Sequence, residues 1–134
     1  AMETALRPHG LNPPQYGVLS VLAREPGASG ADLARALYTT PQAVNGVLAT
    51  LEREALIERR PHPTHGRILQ ATLTSEGQRR LEAANPSIRA LERETERDLS
   101  SDEIATVKTW LVATAQRLEQ ATQSRAAYSL DDFR

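Results

Sequence analysis

The sequence contains no cysteine among its 134 residues. Disulfides, thiolate zinc sites, iron–sulfur clusters and thiol-based redox sensing are therefore excluded, because each of them needs a thiol. No apolar run approaches the roughly 20 residues that a membrane span requires, and no signal-peptide pattern opens the chain. We therefore expect a cytoplasmic protein with no membrane partner, and the length suits one domain at roughly 150 residues per domain.

Catalytic patterns are also missing. The chain has no glycine-rich phosphate loop, no Ser/His/Asp arrangement on a plausible scaffold and no carboxylate pair that would face a cleft. His62 and His65 lie three positions apart, but with Pro63 between them and no carboxylate nearby they make a poor metal site. The sequence therefore predicts no enzyme, no cofactor and no metal.

The chain also lacks an excess of positive or negative charge, since its formal net charge is −1. This value argues against a nucleic-acid partner, but the charges are unevenly distributed. Residues 53–80 carry six arginines against three glutamates, whereas residues 81–134 have a net charge of −3. Such asymmetry favours a local anion-binding surface, and the alternative is an ordinary solvated face. The six arginines are Arg53, Arg59, Arg60, Arg67, Arg79 and Arg80.

Helix-start signals divide the first half of the chain into three helices. Asn12 precedes two prolines, Ser29 precedes Asp32 by three positions, and Thr40 precedes Pro41. A capping side chain followed by proline, or by an acid three residues later, is typical of a helix N-terminus. In the third helix the spacing predicts an apolar inner face of Val44, Val47, Leu48 and Leu51 and an outer face of Gln42, Asn45, Ala49 and Arg53.

After Leu56 the pattern changes from helical to alternating. It predicts strands at residues 57–60 and 67–73 joined by a turn-rich tip at residues 61–66, which together make a hairpin. Thr74 is the predicted cap of the next helix, and Ser100 or Ser101 caps the last one.

The order of these elements is that of a winged helix-turn-helix, a mainly α fold with a small β-hairpin wing. We expect the DNA-binding domain at residues 11–80 and a helical dimerisation region at residues 81–127 together with residues 2–10. A lone winged domain cannot bury two further helices with apolar seams, so a second copy of the chain is the predicted partner. The predicted dimerisation residues, spaced by three and four or by seven, are Ile104, Val107, Leu111 and Leu118.

In this fold the second helix of the pair lies in the major groove of double-stranded DNA. Gln42 and Asn45 carry amides of the kind that pair with adenine, and Thr39 and Thr40 can bond phosphate. The alternative for the amides is a solvated position, and for His62 and His65 it is a mobile polar loop. The predicted DNA-binding set is Ser29, Thr39, Thr40, Pro41, Gln42, Asn45, Gly46, Arg53, Arg60, His62, His65 and Arg67. Winged helices also bind proteins, so a protein-interaction module is the alternative function.

From Leu11 to Gln120 the chain resembles the MarR family of bacterial transcriptional regulators. Four segments carry the resemblance, and the most specific features are the Leu-Thr-x-x-Gly run that ends in Gly77 and the Gly66-Arg67 pair. The segments are LNPPQYGVLSVL (Leu11–Leu22), SGADLARAL (Ser29–Leu37), TTPQAVNGVLATLEREALIERR (Thr39–Arg60) and HGRILQATLTSEG (His65–Gly77).

The resemblance implies a homodimer whose winged domains bind a roughly palindromic site. Many members of the family are repressors that a small, often phenolic or anionic, effector releases from DNA. Tyr16 and Trp110 are the candidate residues of such an effector pocket, with core packing as the favoured alternative. The family usually has an acidic residue two positions before the wing arginine, and this chain has His65 there.

Overall fold

The computed structural model describes the backbone of residues 1–131 and the side chains of residues 1–121. It contains six α-helices, a short 3-10 helix and a two-stranded hairpin, which confirms the winged helix-turn-helix fold. The chain divides into two compact units, Ala1–Glu92 and Arg93–Arg134. In order, the elements are α1 (Met2–Leu6), a 3-10 turn (Arg7–His9), α2 (Pro13–Arg24), α3 (Gly30–Ala36), α4 (Pro41–Arg53), β1 (Ile57–Pro61), β2 (Leu69–Leu73), α5 (Ser75–Thr95) and α6 (Ser101–Asp131).

The helix starts lie where the capping residues predict them. Asn12 Oδ1 accepts the N–H of Gln15 at 2.9 Å, and Gln15 Oε1 accepts the N–H of Asn12 at 3.0 Å. Thr40 Oγ1 accepts the N–H of Ala43 at 3.2 Å. Each bond satisfies a backbone donor that the helix itself leaves without a partner. At the start of the last helix, Ser100 rather than Ser101 is the cap, since its Oγ accepts the N–H of Glu103.

The ends of α3 and α4 share one geometry. After α3, the N–H of Tyr38 donates to the carbonyl of Arg35 at 3.2 Å and the N–H of Thr39 donates to that of Ala34 at 3.0 Å. The same pair of bonds closes α4, with Ala55 in the place of Tyr38. This is the Schellman motif, which needs a left-handed residue after the helix. Accordingly φ is +52° at Tyr38 and +56° at Ala55.

The strands pair in an antiparallel register in which Ile57 faces Leu73 and Pro61 faces Leu69. The prediction that the second strand starts at Arg67 is wrong, because β2 begins at Leu69. Residues 65–68 form a turn in which the N–H of Ile68 donates to the carbonyl of His65 at 2.8 Å. The wing tip therefore extends two residues beyond the prediction, to Ile68, and we use "wing" for Ile57–Leu73.

The Leu-Thr-x-x-Gly run joins the wing to α5. Thr74 Oγ1 accepts the N–H of Gly77 at 3.0 Å and donates to the carbonyl of Ala55 at 2.7 Å. A Cβ on Gly77 would lie 2.0 Å from the carbonyl oxygen of Leu56, so only glycine fits there. One threonine thus caps α5 and holds it to the chain that leaves α4.

The core of the first unit is formed by apolar side chains from α1 through α5. Leu6 of α1 is fully buried, and Leu81, Ala84 and Ile88 of α5 join the same cluster. Burying each large aliphatic side chain contributes about 1.5–3 kcal/mol, so this cluster fixes the helices that carry the site. The core side chains that are most completely buried include Leu19, Leu22, Leu33, Leu51, Leu56 and Ile57. Within the described residues, no helix is both long and apolar enough to cross a membrane.

Candidate nucleic-acid interface

The first turn of α4 presents one free backbone donor. Pro41 has no N–H, and the N–H of Ala43 is bonded to Thr40 Oγ1. The N–H of Gln42 lies between them, at a position where no intrahelical acceptor exists. The positive end of the helix dipole also lies at this turn, so the Gln42 N–H and the O–H of Thr40 are donors at a place where negative charge is favoured.

The outer face of α4 is polar and exposed, whereas its inner face is buried. Gln42, Asn45 and Gly46 are exposed, while Val44, Leu48 and Leu51 each have 2% exposure or less. A Cβ on Gly30 would lie only 3.2 Å from Asn45 Oδ1, so the amide of Asn45 rests against the start of α3. The absence of a side chain at Gly30 therefore leaves room for Asn45.

Ser29 lies at the N-terminus of α3, where its hydroxyl is already engaged. Its Oγ donates to Asp32 Oδ2 at 2.6 Å and accepts the N–H of Asp32 at 3.2 Å, while its own N–H donates to Oδ2 at 3.0 Å. The hydrogen bond from the Ser29 side chain is the main cause that lowers the pKa of Asp32 below its ordinary value. The carboxylate thus occupies the donors that Ser29 would offer to a phosphate.

Most arginines of the basic segment are paired with acids. Arg59 binds Glu52, with its Nε at 2.9 Å from Oε2, and Arg60 binds Glu58 at 3.0 Å. Arg79 and Arg80 both bind Glu76. Arg53 reaches only Thr50 Oγ1, at 3.4 Å, and Arg67 has no hydrogen bond or ion pair among the described residues. Two arginines of the six are therefore without an acidic partner in this part of the chain.

The ion pair between Arg60 and Glu58 is weak enough for another anion to replace the carboxylate. Both side chains are largely exposed, at 80% and 55%. Exposed ion pairs of this kind contribute about 0–1 kcal/mol, so a phosphate can replace the carboxylate at little cost.

His62 organises the tip of the wing. Its Nδ1 accepts the backbone N–H groups of Thr64 and His65, each at 3.2 Å. The rings of His62 and His65 lie 5.3 Å apart. Among the described residues, no three histidine, aspartate or glutamate side chains are grouped to hold a metal ion. The hydrogen bonds give His62 a local role in shaping the tip that carries Arg67.

The predicted dimerisation residues lie on α6 in the second unit. Val107, Leu111 and Leu118 are 46%, 54% and 64% exposed, and Ile104 is half-buried. Large apolar side chains in a row on one helix are unusual on a free surface. Within the described residues, Val107 and Leu111 therefore stay largely exposed on α6.

The two candidate effector residues have different surroundings. The hydroxyl of Tyr16, on α2, donates to Asn85 Oδ1 at 3.0 Å, and the ring packs against the core of the first unit. Trp110, on α6, is 61% exposed. A separate apolar groove of about 330 Å³ runs between α2 and α4, lined by Pro13, Pro14, Gly17, Leu37, Ala43 and Val47 among others.

Two residues of this surface could not be found from the sequence pattern. Gly30 stands directly after a cap, where glycine has no local advantage, and its contact with Asn45 becomes visible only when α3 and α4 are packed together. Tyr38 is 75% exposed in the turn between those helices. The usual sequence signal for its left-handed backbone is glycine, which is absent there.

Comparison with known proteins agrees with this fold. The MarR family model matches residues 9–68. The HTH-type transcriptional repressor Rv2887 of Mycobacterium tuberculosis is 40% identical over 89 residues, which are 66% of this chain and 64% of that protein. The chain thus spans less than two thirds of the mycobacterial repressor's length. The transcriptional regulator HosA of Escherichia coli is 32% identical over 93 residues, 69% of each chain.

Solved structures show the same architecture. CouR of Rhodococcus jostii, bound to p-coumaroyl-CoA, has a TM-score of 0.79 at 23% identity, covering 85% of this chain and 80% of CouR. A mutant of Escherichia coli MarR in complex with operator DNA has a TM-score of 0.76 at 24% identity, covering 84% and 81%. With the family model and the identity to HosA, the winged helix-turn-helix described above shows that the chain belongs to the MarR family.

Proposed function

We propose that the protein is a DNA-binding transcriptional regulator, a ligand-responsive repressor that binds a palindromic operator as a homodimer. The observation that carries the proposal is the outer face of α4, which is polar and exposed along Gln42, Asn45 and Gly46 while the opposite face is buried. A helix of this kind, second in a helix-turn-helix, is suited to the major groove.

The surface divides into groups that read bases and groups that bind phosphate. The amides of Gln42 and Asn45 have the donor and acceptor pattern that pairs with adenine. The Gln42 N–H and the hydroxyls of Thr39 and Thr40 suit phosphates beside the first turn of α4. Arg53 is the phosphate contact at the far end of that helix.

Arg67 and its neighbours in the wing contact the adjoining backbone and minor groove. The minor groove has a negative potential that favours arginine. Arg67 has no acidic partner among the described residues, so its guanidinium can enter that groove without breaking an ion pair. Arg60 and His65 lie in the same exposed part of the wing.

The partner that covers α6 is a second copy of the chain. The exposed row that contains Val107, Leu111 and Leu118 supports this arrangement. A two-fold dimer places two copies of α4 about 34–36 Å apart, which matches one turn of DNA. We place the division between DNA-binding and dimerisation regions at residues 11–80 and 81–127, with residues 2–10 assigned to the latter.

We also propose that a small effector regulates the protein, and we assign its cellular location. The name of the mycobacterial relative is that of a repressor, and CouR was crystallised with a small ligand, which supports an effector for this chain too. Tyr16 and Trp110 remain the candidate effector contacts. We assign the protein no catalytic activity and a cytoplasmic location, since transcriptional regulators act on DNA in that compartment.

The test is a titration of a labelled duplex from the region upstream of the protein's own gene, beside a scrambled duplex of equal composition. Arg53 and Arg67, which have no acidic partner among the described residues, give four such cations per dimer. Affinity should therefore fall about a hundredfold between about 50 mM and about 200 mM salt, and the upstream duplex should bind more tightly. Absence of binding to both duplexes at the lower salt concentration would contradict the proposal and favour a protein-interaction module.

A further inference from the structure

Two helices of the winged unit end on left-handed residues that are not glycine. Tyr38 has φ of +52° and Ala55 has φ of +56°. In this conformation a Cβ crowds the following carbonyl oxygen, which is why glycine is the usual residue at this position of the Schellman motif. Each of these two residues thus lowers the stability of the fold relative to glycine.

In the part of the chain that the structure describes, the Tyr38 side chain makes little packing contact that would offset this cost. It is 75% exposed. Its phenolic O–H has no hydrogen-bond partner among the described residues. A large side chain that strains the backbone and makes so little contact within its own chain is a candidate for a contact in a complex.

The position of Tyr38 identifies the chemistry of that contact. It lies two residues before Thr40, which caps α4, and four before Gln42, whose N–H is free. Phosphates that approach this turn face the positive end of the helix dipole. A tyrosine O–H is one of the neutral donors that proteins use to bind phosphate oxygens.

We propose that Tyr38 is a DNA-contact residue whose phenolic O–H donates a hydrogen bond to a backbone phosphate oxygen beside the first turn of α4. The inference rests on the proposed function, because it needs DNA in the groove next to α4. It adds a contact outside the predicted set and accounts for a tyrosine at a position that favours glycine.

The test compares three variants of the full chain by fluorescence anisotropy on the upstream and scrambled duplexes, with thermal unfolding measured in parallel. Tyr38→Phe removes only the O–H and keeps the strained backbone. Tyr38→Gly removes the side chain and the strain together. Ala55→Gly is the matched control, because it relieves the same strain at the end of α4 without touching Tyr38.

Tyr38→Phe should weaken binding to both duplexes about tenfold per bound protomer, the loss expected of one hydrogen bond to a charged acceptor, with an unchanged Tm. Since a phenol releases no counterion, the salt dependence should keep its slope. Tyr38→Gly should show the same loss of affinity with a raised Tm, and Ala55→Gly a raised Tm with unchanged affinity.

Unchanged affinity of Tyr38→Phe for both duplexes would overturn the inference, and so would a loss confined to one duplex, since phosphate contacts carry no base sequence. If the wild-type chain binds DNA and the Tyr38 variants bind equally well, the proposed function stands and the inference fails. If the wild-type chain binds neither duplex, the proposed function fails and the inference fails with it.

Discussion

Gly77 shows how one residue position determines whether the wing and α5 can join. A Cβ there would lie 2.0 Å from the carbonyl oxygen of Leu56, which is backbone and cannot rotate away. The preceding Thr74 bonds both the start of α5 and the carbonyl of Ala55. The Leu-Thr-x-x-Gly run is therefore a structural joint between the two elements.

Gly77→Ala should destabilise the fold by about 2–3 kcal/mol, because the extra methyl forces the backbone apart. The measurement is the free energy of unfolding in urea. Gly66→Ala is the control, since a Cβ there meets nothing within 4 Å. Equal stability of the two variants would show that the close approach at Leu56 is absent.

Glu76 gives a pH dependence that can be assigned to one residue. Hydrogen bonds from Arg79, and then from Arg80, lower its pKa from the ordinary value of 4.5 to about 2. The ionised carboxylate therefore stabilises the fold above pH 4.5, and this contribution disappears as the pH falls from 4.5 to about 2.

We expect Glu76→Gln to have a flatter decline of unfolding free energy over that acidic range than the wild-type chain. Urea titrations at a series of pH values measure it. Glu3→Gln is the control, because Glu3 has no ion-pair partner among the described residues. If the unfolding free energy of Glu76→Gln equals that of the wild-type chain at every pH, Glu76 does not contribute to the acid response.

At the scale of elements, α4 and the wing should make separable contributions to binding. Asn45→Ala should reduce discrimination between operator and scrambled DNA by about 1–3 kcal/mol per protomer, because each protomer loses one base contact. Arg67→Ala should weaken binding to both duplexes alike and lower the salt slope by about 2, since each of the two protomers loses one phosphate contact. Anisotropy titrations at several salt concentrations distinguish the two outcomes. An unchanged specificity ratio for Asn45→Ala would show that α4 does not read the sequence.

Substitution of Gly30 tests whether the contact between α3 and Asn45 of α4 affects operator preference. Gly30→Ala places a methyl 3.2 Å from Asn45 Oδ1, which can move aside at little cost in stability. The variant should therefore unfold at about the wild-type urea concentration and still lose part of the operator preference. The control is Gly30→Ala in an Asn45→Ala background, where the added methyl has no amide to displace and operator preference should not fall further. Full operator preference in Gly30→Ala would mean that the Asn45 contact has no bearing on DNA.

Helix starts could be predicted from the sequence, whereas helix ends could not be placed as firmly. Asn12, Ser29 and Thr40 each accept from a backbone donor three residues away, so their signal is local. The ends at Tyr38 and Ala55 adopt a conformation that usually needs glycine, and no glycine marks them. The wing was predicted as a hairpin, but its turn extends over residues 65–68 because backbone bonds at the tip outweigh the alternating pattern.

Charge in the basic segment was harder to predict, because pairing depends on packing. Arg59 meets Glu52 from seven residues away, across the junction of α4 and β1. Arg80 lies 4.0 Å from Glu54, which is distant in sequence. A segment that counts as +3 by composition therefore presents two arginines without an acidic partner in the described part of the chain, Arg53 and Arg67.

At the scale of the whole molecule, dimerisation through α6 should be required for tight binding. Leu111→Glu places a charge in the exposed apolar row that contains Val107 and Leu118. The variant should sediment as a monomer at micromolar concentration and bind the upstream duplex far more weakly, because one recognition helix is lost. Thr109→Glu, on the same exposed helix, is the control. A wild-type chain that is a stable monomer would contradict the dimer.

A hydroxyl-radical footprint on the upstream DNA tests the central claim most directly, since it reports DNA binding, symmetry and spacing in one experiment. The account predicts two protected half-sites related by a dyad, with centres about 10–10.5 base pairs apart. Protection of a single half-site, or none at concentrations that saturate the anisotropy signal, would contradict it.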